Sequence, residues 1–249
     1  MSTTATLGIP RIARTEARRL ALVEFEKFAE LVASLSHAEW EADTDCVGWN
    51  VRAMVLHVLG SAEAQASPRI LLHQLRCGLP VNKKIDAHHW VDGLNELQIR
   101  ERAHLTEVEV AARLARVGRD AVDGRFGTPL PVRYIPVPFG SPVGWKPINY
   151  LLEVGFTRDM WAHRIDIHTA IGRPMELDSV HDGRLTADIV DEWARTHGEP
   201  FTLHLSGPAG GTFSNDNDGE VVDMDVVTFI RTLTGRRDGI GVMRHALPL

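Results

Sequence analysis

A helical domain followed by a small α+β module is the fold class this sequence predicts, and three observations carry it. Apolar residues recur at three- and four-residue steps through much of residues 1–174. Strand-like alternation first appears at Phe201-Thr202-Leu203-His204-Leu205, and Gly172 with Pro174 marks a stop between the two patterns. The expected organisation is therefore an all-α domain over 1–174 and an α+β domain over 175–249.

Leu20, Val23, Phe28, Leu31, Val32 and Leu35 predict a first amphipathic helix over 15–35, ending near Ser36. A polar connection, Asp43-Thr44-Asp45-Cys46-Val47-Gly48-Trp49, leads to Asn50, an N-cap for a second helix carrying His57. A third helix is expected within 62–77. After a break at 80–86, helical patterning returns from Val91 to Arg102, and Thr106 with Glu109 three residues on forms the capping-box pattern of a further helix. Gly124 to Trp145 is crowded with Gly and Pro, including Pro129, Pro131, Pro136, Pro138 and Pro142, and reads as a long loop, a wall or lid of a site. Pro147 suits the first turn of a long helix closed by Gly172 and Pro174; roughly 25 residues at 1.5 Å each would span about 37 Å. Beyond it, Asp188 to Thr196 reads as helix, Phe201 to Leu205 as strand and Gly207 to Gly211 as turn. Asp218 to Asp223 reads as a hairpin or strand start, and Val226 to Thr234 as a final helix.

The chain of 249 residues carries a formal charge of -6, which argues against a nucleic-acid partner. Arg11, Arg14, Arg18 and Arg19 cluster near the start, but Glu16, Glu24 and Glu26 interleave with them, as on a solvated helix face. No apolar run approaches the roughly 18 residues that span a bilayer, and Met1 to Pro10 lack a signal peptide's regions, so a cytoplasmic protein without membrane contact is expected. The two cysteines, Cys46 and Cys77, suit a reducing compartment and are expected to be inert or surface thiols. Oligomeric state is left open.

The chemistry concentrates in Arg158-Asp159-Met160-Trp161-Ala162-His163-Arg164-Ile165-Asp166. Asp159 and His163 are four apart and share a helix face, a spacing that chelates a metal. His57 supplies a third ligand from a neighbouring helix, and two imidazoles with one carboxylate leave an open fourth position, as in catalytic zinc sites. Ala53, Gly60, Ser61 and Ala64 on the His57 face are small, so the imidazole is expected to project into open space. Leu152, Phe156, Asp159, His163, Asp166 and Ala170 form one stripe, apolar at its ends and polar in the middle. An unpaired carboxylate there costs several kcal/mol. The plain alternative is a hydrogen-bonded core histidine beside a surface Asp/His pair. Asp166 is either a ligand or the carboxylate that orients His163. Arg158 and Arg164 are expected to be salt-bridged structural groups. His88 and His89 are weak candidates because adjacent residues do not aim at one ion from regular structure, and Asn95 and Gln98 suit polar caps or surface positions at least as well as a pocket lining. No nucleophile elbow, phosphate loop, dinucleotide fingerprint or His-Glu-x-x-His occurs.

These residues resemble a known family. Leu35-Ser36-His37-Ala38-Glu39-Trp40, then Cys46-Val47-Gly48-Trp49-Asn50-Val51-Arg52 through His57, is similar to the start of the mycothiol-dependent maleylpyruvate isomerase family, within the DinB-like superfamily. The run from Arg158 to Asp166 resembles that family's second ligand helix, and Leu233-Thr234-Gly235-Arg236 its small C-terminal domain. The resemblance implies a DinB-like four-helix bundle with a sterol-carrier-like α+β domain. It implies a divalent metal, commonly zinc with nickel or another ion as alternatives, on His57, Asp159 and His163, and a role in activity for Arg236. Asp159 departs from the isomerase's glutamate and from the histidine of many DinB-like proteins.

The resemblance further implies a metal-dependent thiol enzyme, an isomerase or thiol S-transferase. Mycothiol or a similar low-molecular-weight thiol would attack a small electrophile, with Arg236 holding a substrate carboxylate. Two other readings use the same residues: a metal-dependent hydrolase, and a non-catalytic protein that binds a metal or small ligand.

Overall fold

The computed structural model describes residues 8–85, 87, 89–215 and 218–247. It is mostly helical with two small sheets, and the chain divides into two compact units. His88 and the residues before Gly8 lie outside the described residues.

The larger unit comprises residues 17–136 and 147–173. Helix α1 (Arg14–Ala33) is followed by the single turn α2 (His37–Trp40) and by α3 (Val51–Ala66). Asn50 caps α3 as expected: its side-chain oxygen accepts from the Ala53 N–H at 2.9 Å. The helix expected over parts of 62–77 is α4 (Pro68–Gly78), which begins afresh after α3 stops at Ala66. The reason is Pro68, which has no N–H to continue α3 but suits the first turn of a new helix. Helices α5 (Asp92–Arg102) and α6 (Glu107–Gly127) follow, and Thr106 with Glu109 closes the capping box that opens α6. Helix α3 lies at the centre, packed by α4, α5, α6 and later α9. Phe28, Val51, Met54, Leu59, Val110 and Leu114 belong to its hydrophobic core.

The stretch expected as one loop from Gly124 to Trp145 is partly regular. Helix α6 continues to Gly127, α7 (Leu130–Arg133) adds a turn, and β1 (Pro136–Pro138) pairs with β2 (Trp145–Pro147) in a short hairpin. Prolines bias sequence reading toward loop, yet they suit the first helical turn and edge strands. The long helix expected from Pro147 is also modified. Pro147 caps it from outside, α8 (Ile148–Tyr150) starts it, residues Leu151–Gly155 form a π-helical turn, and α9 (Phe156–Ala170) completes it. The Phe156 N–H reaches back to the Leu151 carbonyl, five residues away. The extra residue shifts the register by about 100°, so Leu152 does not continue the stripe of Asp159 and His163.

Inside this unit Arg164 donates two hydrogen bonds to the buried Glu24 carboxylate, at 2.8 and 3.1 Å. Arg164 is thus the structural ion pair the sequence suggested.

The smaller unit gathers residues up to Glu16, 137–146 and 174 onward. Helix α10 (Asp182–His197) precedes β3 (Phe201–Ser206), β4 (Gly211–Ser214), β5 (Glu220–Asp225) and α11 (Val226–Leu233). The strands order as β4-β3-β5, with β4 antiparallel and β5 parallel to β3. Alternation along β3 sends Phe201, Leu203 and Leu205 to the buried face. There Trp193 of α10 meets Phe201 and Phe229 of α11, with ring centroids 4.9 and 5.7 Å apart. The helix, strand, turn and final helix expected here are all present. Strand β4 is an addition: only its first residue, Gly211, belongs to the expected turn, and its exposed polar residues carry no strand signal.

Candidate metal centre

Two helices of the larger unit bring the three expected residues together. His57 lies in the second turn of α3, and Asp159 and His163 lie one turn apart on α9. Asp159 Oδ2 stands 3.7 Å from His57 Nε2, and Asp159 Oδ1 stands 3.4 Å from His163 Nε2. One donor atom from each residue falls within 4.8 Å of the others. Ligands held at about 2.1 Å in a tetrahedral shell stand about 3.4 Å from one another, so donors gathered within 4.8 Å lie near the spacing that a small cation takes. Both imidazoles are buried, while about a third (34%) of the Asp159 side chain remains exposed.

The donor chemistry also fits. His57 Nδ1 faces the Gln98 amide oxygen at 2.9 Å, and His163 Nδ1 faces Asp166 Oδ2 at 3.3 Å. Each partner atom is an acceptor, so a neutral ring here can carry its proton on Nδ1 and leave Nε2, the nitrogen nearest Asp159, available to a cation. A carboxylate between two imidazoles calls for a positive charge, which a bound cation or a protonated His163 supplies. The same demand marks the titration of the site. Burial alone pushes the Asp159 carboxyl up, but His163 and His57 outweigh it and hold that carboxyl far below the usual range. Burial pushes His163 down, and the Asp159 charge with hydrogen bonds to Asp159, Asp166 and Cys46 lifts it well above the ordinary histidine value.

Two residues around the centre were not foreseen, and a third, Gln98, was expected only under the pocket-lining reading. Trp49 lies over both rings, with centroids 5.0 Å from His57 and 6.0 Å from His163, and the two imidazoles meet edge-on at 5.4 Å. Cys46 had been expected to be inert or superficial; it is half-buried and its Sγ donates toward Asp166 Oδ2 at 3.6 Å. Cys46, His163 and Asp166 form a second set of potential ligands that shares His163. Gln98 is the third. The space expected beside His57 at Gly60 is filled by this side chain, since a Cβ on Gly60 would lie 2.6 Å from Gln98 Cβ. The bulk of a residue from another helix is invisible to the periodicity of α3.

Asp166 is buried and directed at the His163 Nδ1, the orienting position. Arg158 is also buried, with Nη1 3.5 Å from the Tyr150 hydroxyl. His89 lies next to Trp90, its backbone N–H donating to the Asp92 carboxylate at 2.8 Å, and belongs to no cluster of potential ligands among the described residues. Asn95 is on α5. Arg236 belongs to the smaller unit, where it follows α11 and donates from Nη1 to the Thr234 carbonyl at 3.0 Å. No helix of the described residues is long and apolar enough to cross a membrane.

The chain matches no protein-family model and no curated protein sequence. Its fold is similar to two solved structures. A crystal structure of the mycothiol-dependent maleylpyruvate isomerase aligns with a TM-score of 0.55 at 17% identity, covering 91% of each chain. A histidine-to-alanine mutant of that enzyme aligns with a TM-score of 0.54 at 16% identity, covering 90% of each chain. The chain therefore shares the fold of these isomerases over nearly its whole length.

Proposed function

We propose that this protein is a metal-dependent thiol enzyme, of the mycothiol-dependent isomerase or thiol S-transferase type, with His57, Asp159 and His163 as its metal ligands. The observation that carries the reading is the convergence of two Nε2 atoms on the Asp159 carboxylate, at 3.7 Å for His57 and 3.4 Å for His163. The shared fold with mycothiol-dependent isomerases supports the thiol as co-substrate. In the same reading the helical unit is a DinB-like four-helix bundle and the C-terminal part a sterol-carrier-like domain.

A divalent ion, zinc by the nitrogen and oxygen donor set, would supply Lewis acidity that favours the thiolate form of a bound thiol. His57 and His163 present their Nε2 atoms from two different helices and so fix the centre between them. Asp159 brings the negative charge, and its exposed edge leaves the centre open to a small molecule. Asp166 holds the His163 ring through Nδ1, and Trp49 covers both imidazoles and limits water on that side. Arg236 is assigned to a substrate carboxylate, which its guanidinium suits by two parallel hydrogen bonds. The reaction class is addition of sulfur to an electrophilic carbon. It ends in a thioether or, after bond rotation and loss of the thiol, in a cis-trans isomer.

Metal analysis and a thiol-consumption assay test this together. The purified chain should hold close to one equivalent of zinc, and His57→Ala should lose it. Thiol-dependent conversion of electrophiles should disappear with the metal. Undiminished zinc in His57→Ala would remove this ligand set. Zinc binding without thiol turnover would leave a hydrolase or a binding protein.

A further inference from the structure

We infer that Gln98 and Gln74 are positioning residues that fix the tautomer of His57, so that its Nε2 keeps a bare lone pair facing Asp159. The inference rests on the proposed role of His57 as a ligand, but its first consequence is a property of the metal-free protein.

Three hydrogen bonds run in series from the ring into the core. His57 Nδ1 meets Gln98 Oε1 at 2.9 Å, Gln98 Nε2 donates to Gln74 Oε1 at 2.7 Å, and Gln74 Nε2 donates to the Gly60 carbonyl at 2.8 Å. All three side chains are buried. The far end sets the direction of the series. A backbone carbonyl only accepts, so Gln74 must turn its NH2 to Gly60 and its oxygen to Gln98. Gln98 must then turn its NH2 to Gln74 and its oxygen to His57, which leaves the proton on Nδ1. Reversing either amide sets acceptor against acceptor in a buried space, and each such loss costs about 1–3 kcal/mol.

The relay has a competitor. Asp159 Oδ2 lies 3.7 Å from His57 Nε2 and would draw the ring proton to that nitrogen. Without an oriented acceptor at Nδ1, the neutral ring would turn an N–H to the carboxylate and lose the lone pair that a cation needs. The glutamine series opposes this shift.

The relay draws on three helices, and contacts between α3 and α5 fix the backbone around it. Only glycine at position 60 admits Gln98, because a Cβ would lie 2.6 Å from Gln98 Cβ. Arg102, one turn along α5, donates to the Gln98 carbonyl at 2.9 Å and to Glu63 of α3 at 2.9 and 2.6 Å. Gly60 thus both supplies the terminal acceptor and makes room for the next member.

The test uses the full chain with ¹⁵N-labelled histidine. Two-bond nitrogen-proton spectra of the metal-free protein read the tautomer of neutral His57, assigned by the signal missing in His57→Gln. The native chain should show the Nδ1–H form. Gln98→Leu and Gln74→Leu should move the population to Nε2–H, whereas Gln98→Glu, which still offers an oxygen to Nδ1, should keep Nδ1–H. Zinc affinity, measured by competition with a chelating dye, should fall by about 10- to 100-fold in both leucine variants and by much less in Gln98→Glu. An unchanged His57 tautomer in Gln74→Leu would overturn the relay, as would Nδ1–H surviving in Gln98→Leu. Gln74→Leu does not touch the imidazole, so it decides the matter even where Gln98→Leu fails to fold. Failure of the native chain to bind zinc would count against the metal reading alone, because the spectra judge the tautomer separately.

Discussion

A carboxylate that takes two donors on one oxygen fixes both of them, and Asp166 Oδ2 receives the His163 imidazole at 3.3 Å and the Cys46 thiol at 3.6 Å. The buried charge is worth more there than at the surface, since hydrogen bonds to charged groups contribute about 1.5–3 kcal/mol. Asp166→Asn preserves the shape but removes the charge, and so weakens both of these hydrogen bonds. Zinc affinity is expected to fall by about 10- to 100-fold while the far-ultraviolet circular dichroism spectrum stays native. Equal affinity by chelator competition would show that the carboxylate does not orient the ligand. The ligand candidates were legible in the sequence because two of them share one helix, where four-residue spacing implies proximity. Trp49 and Cys46 sit in an irregular connection and Gln98 on another helix. No periodicity links such residues to His57, so packing had to reveal their roles.

At the level of the element, end signals were more legible than interiors. Asn50 and Thr106 mark the starts of α3 and α6 because a cap is a local contact between a side chain and a nearby N–H. Thr106→Ala and Asn50→Ala should each lower stability by about 1 kcal/mol, read as a shift of the urea midpoint at constant slope. Thr106→Ala should also leave zinc affinity unchanged, because its cap serves α6, which carries none of the proposed ligands. The π-helical turn before α9 was not legible. Its support is non-local: the buried Arg125 donates from Nε to the Leu152 carbonyl at 2.7 Å and from Nη2 to the Thr157 hydroxyl at 2.9 Å. Burial pushes this guanidinium down to about 9, partly offset by Glu153, so the cation remains the main form at neutral pH. A turn held by a residue from α6 leaves no trace in the local sequence of α9.

At the level of the whole molecule, stability should depend on pH through a histidine far from any ligand in sequence. In the smaller unit, His197 packs on Trp193 and Phe201, with centroids 4.3 and 5.6 Å away, and stacks on His245 at 5.1 Å. Its Nδ1 accepts the Glu199 N–H at 3.0 Å, a bond that only the unprotonated nitrogen makes. Burial and then the neighbouring His245 push the His197 imidazole down to about 4, against a weaker upward pull from Glu199. The folded state therefore binds this proton less readily than the unfolded chain, whose histidines titrate near 6.5. Stability from this group is fully present above that ordinary value and is lost as pH falls from 6.5 toward 4. His197→Phe keeps an aromatic ring in the stack but cannot titrate. It should be less stable at pH 7, where it leaves the Glu199 N–H without that acceptor. Its urea midpoint should nevertheless fall less steeply than the native one between pH 7 and pH 4.5. Parallel declines in the two proteins would assign the acid sensitivity to other groups.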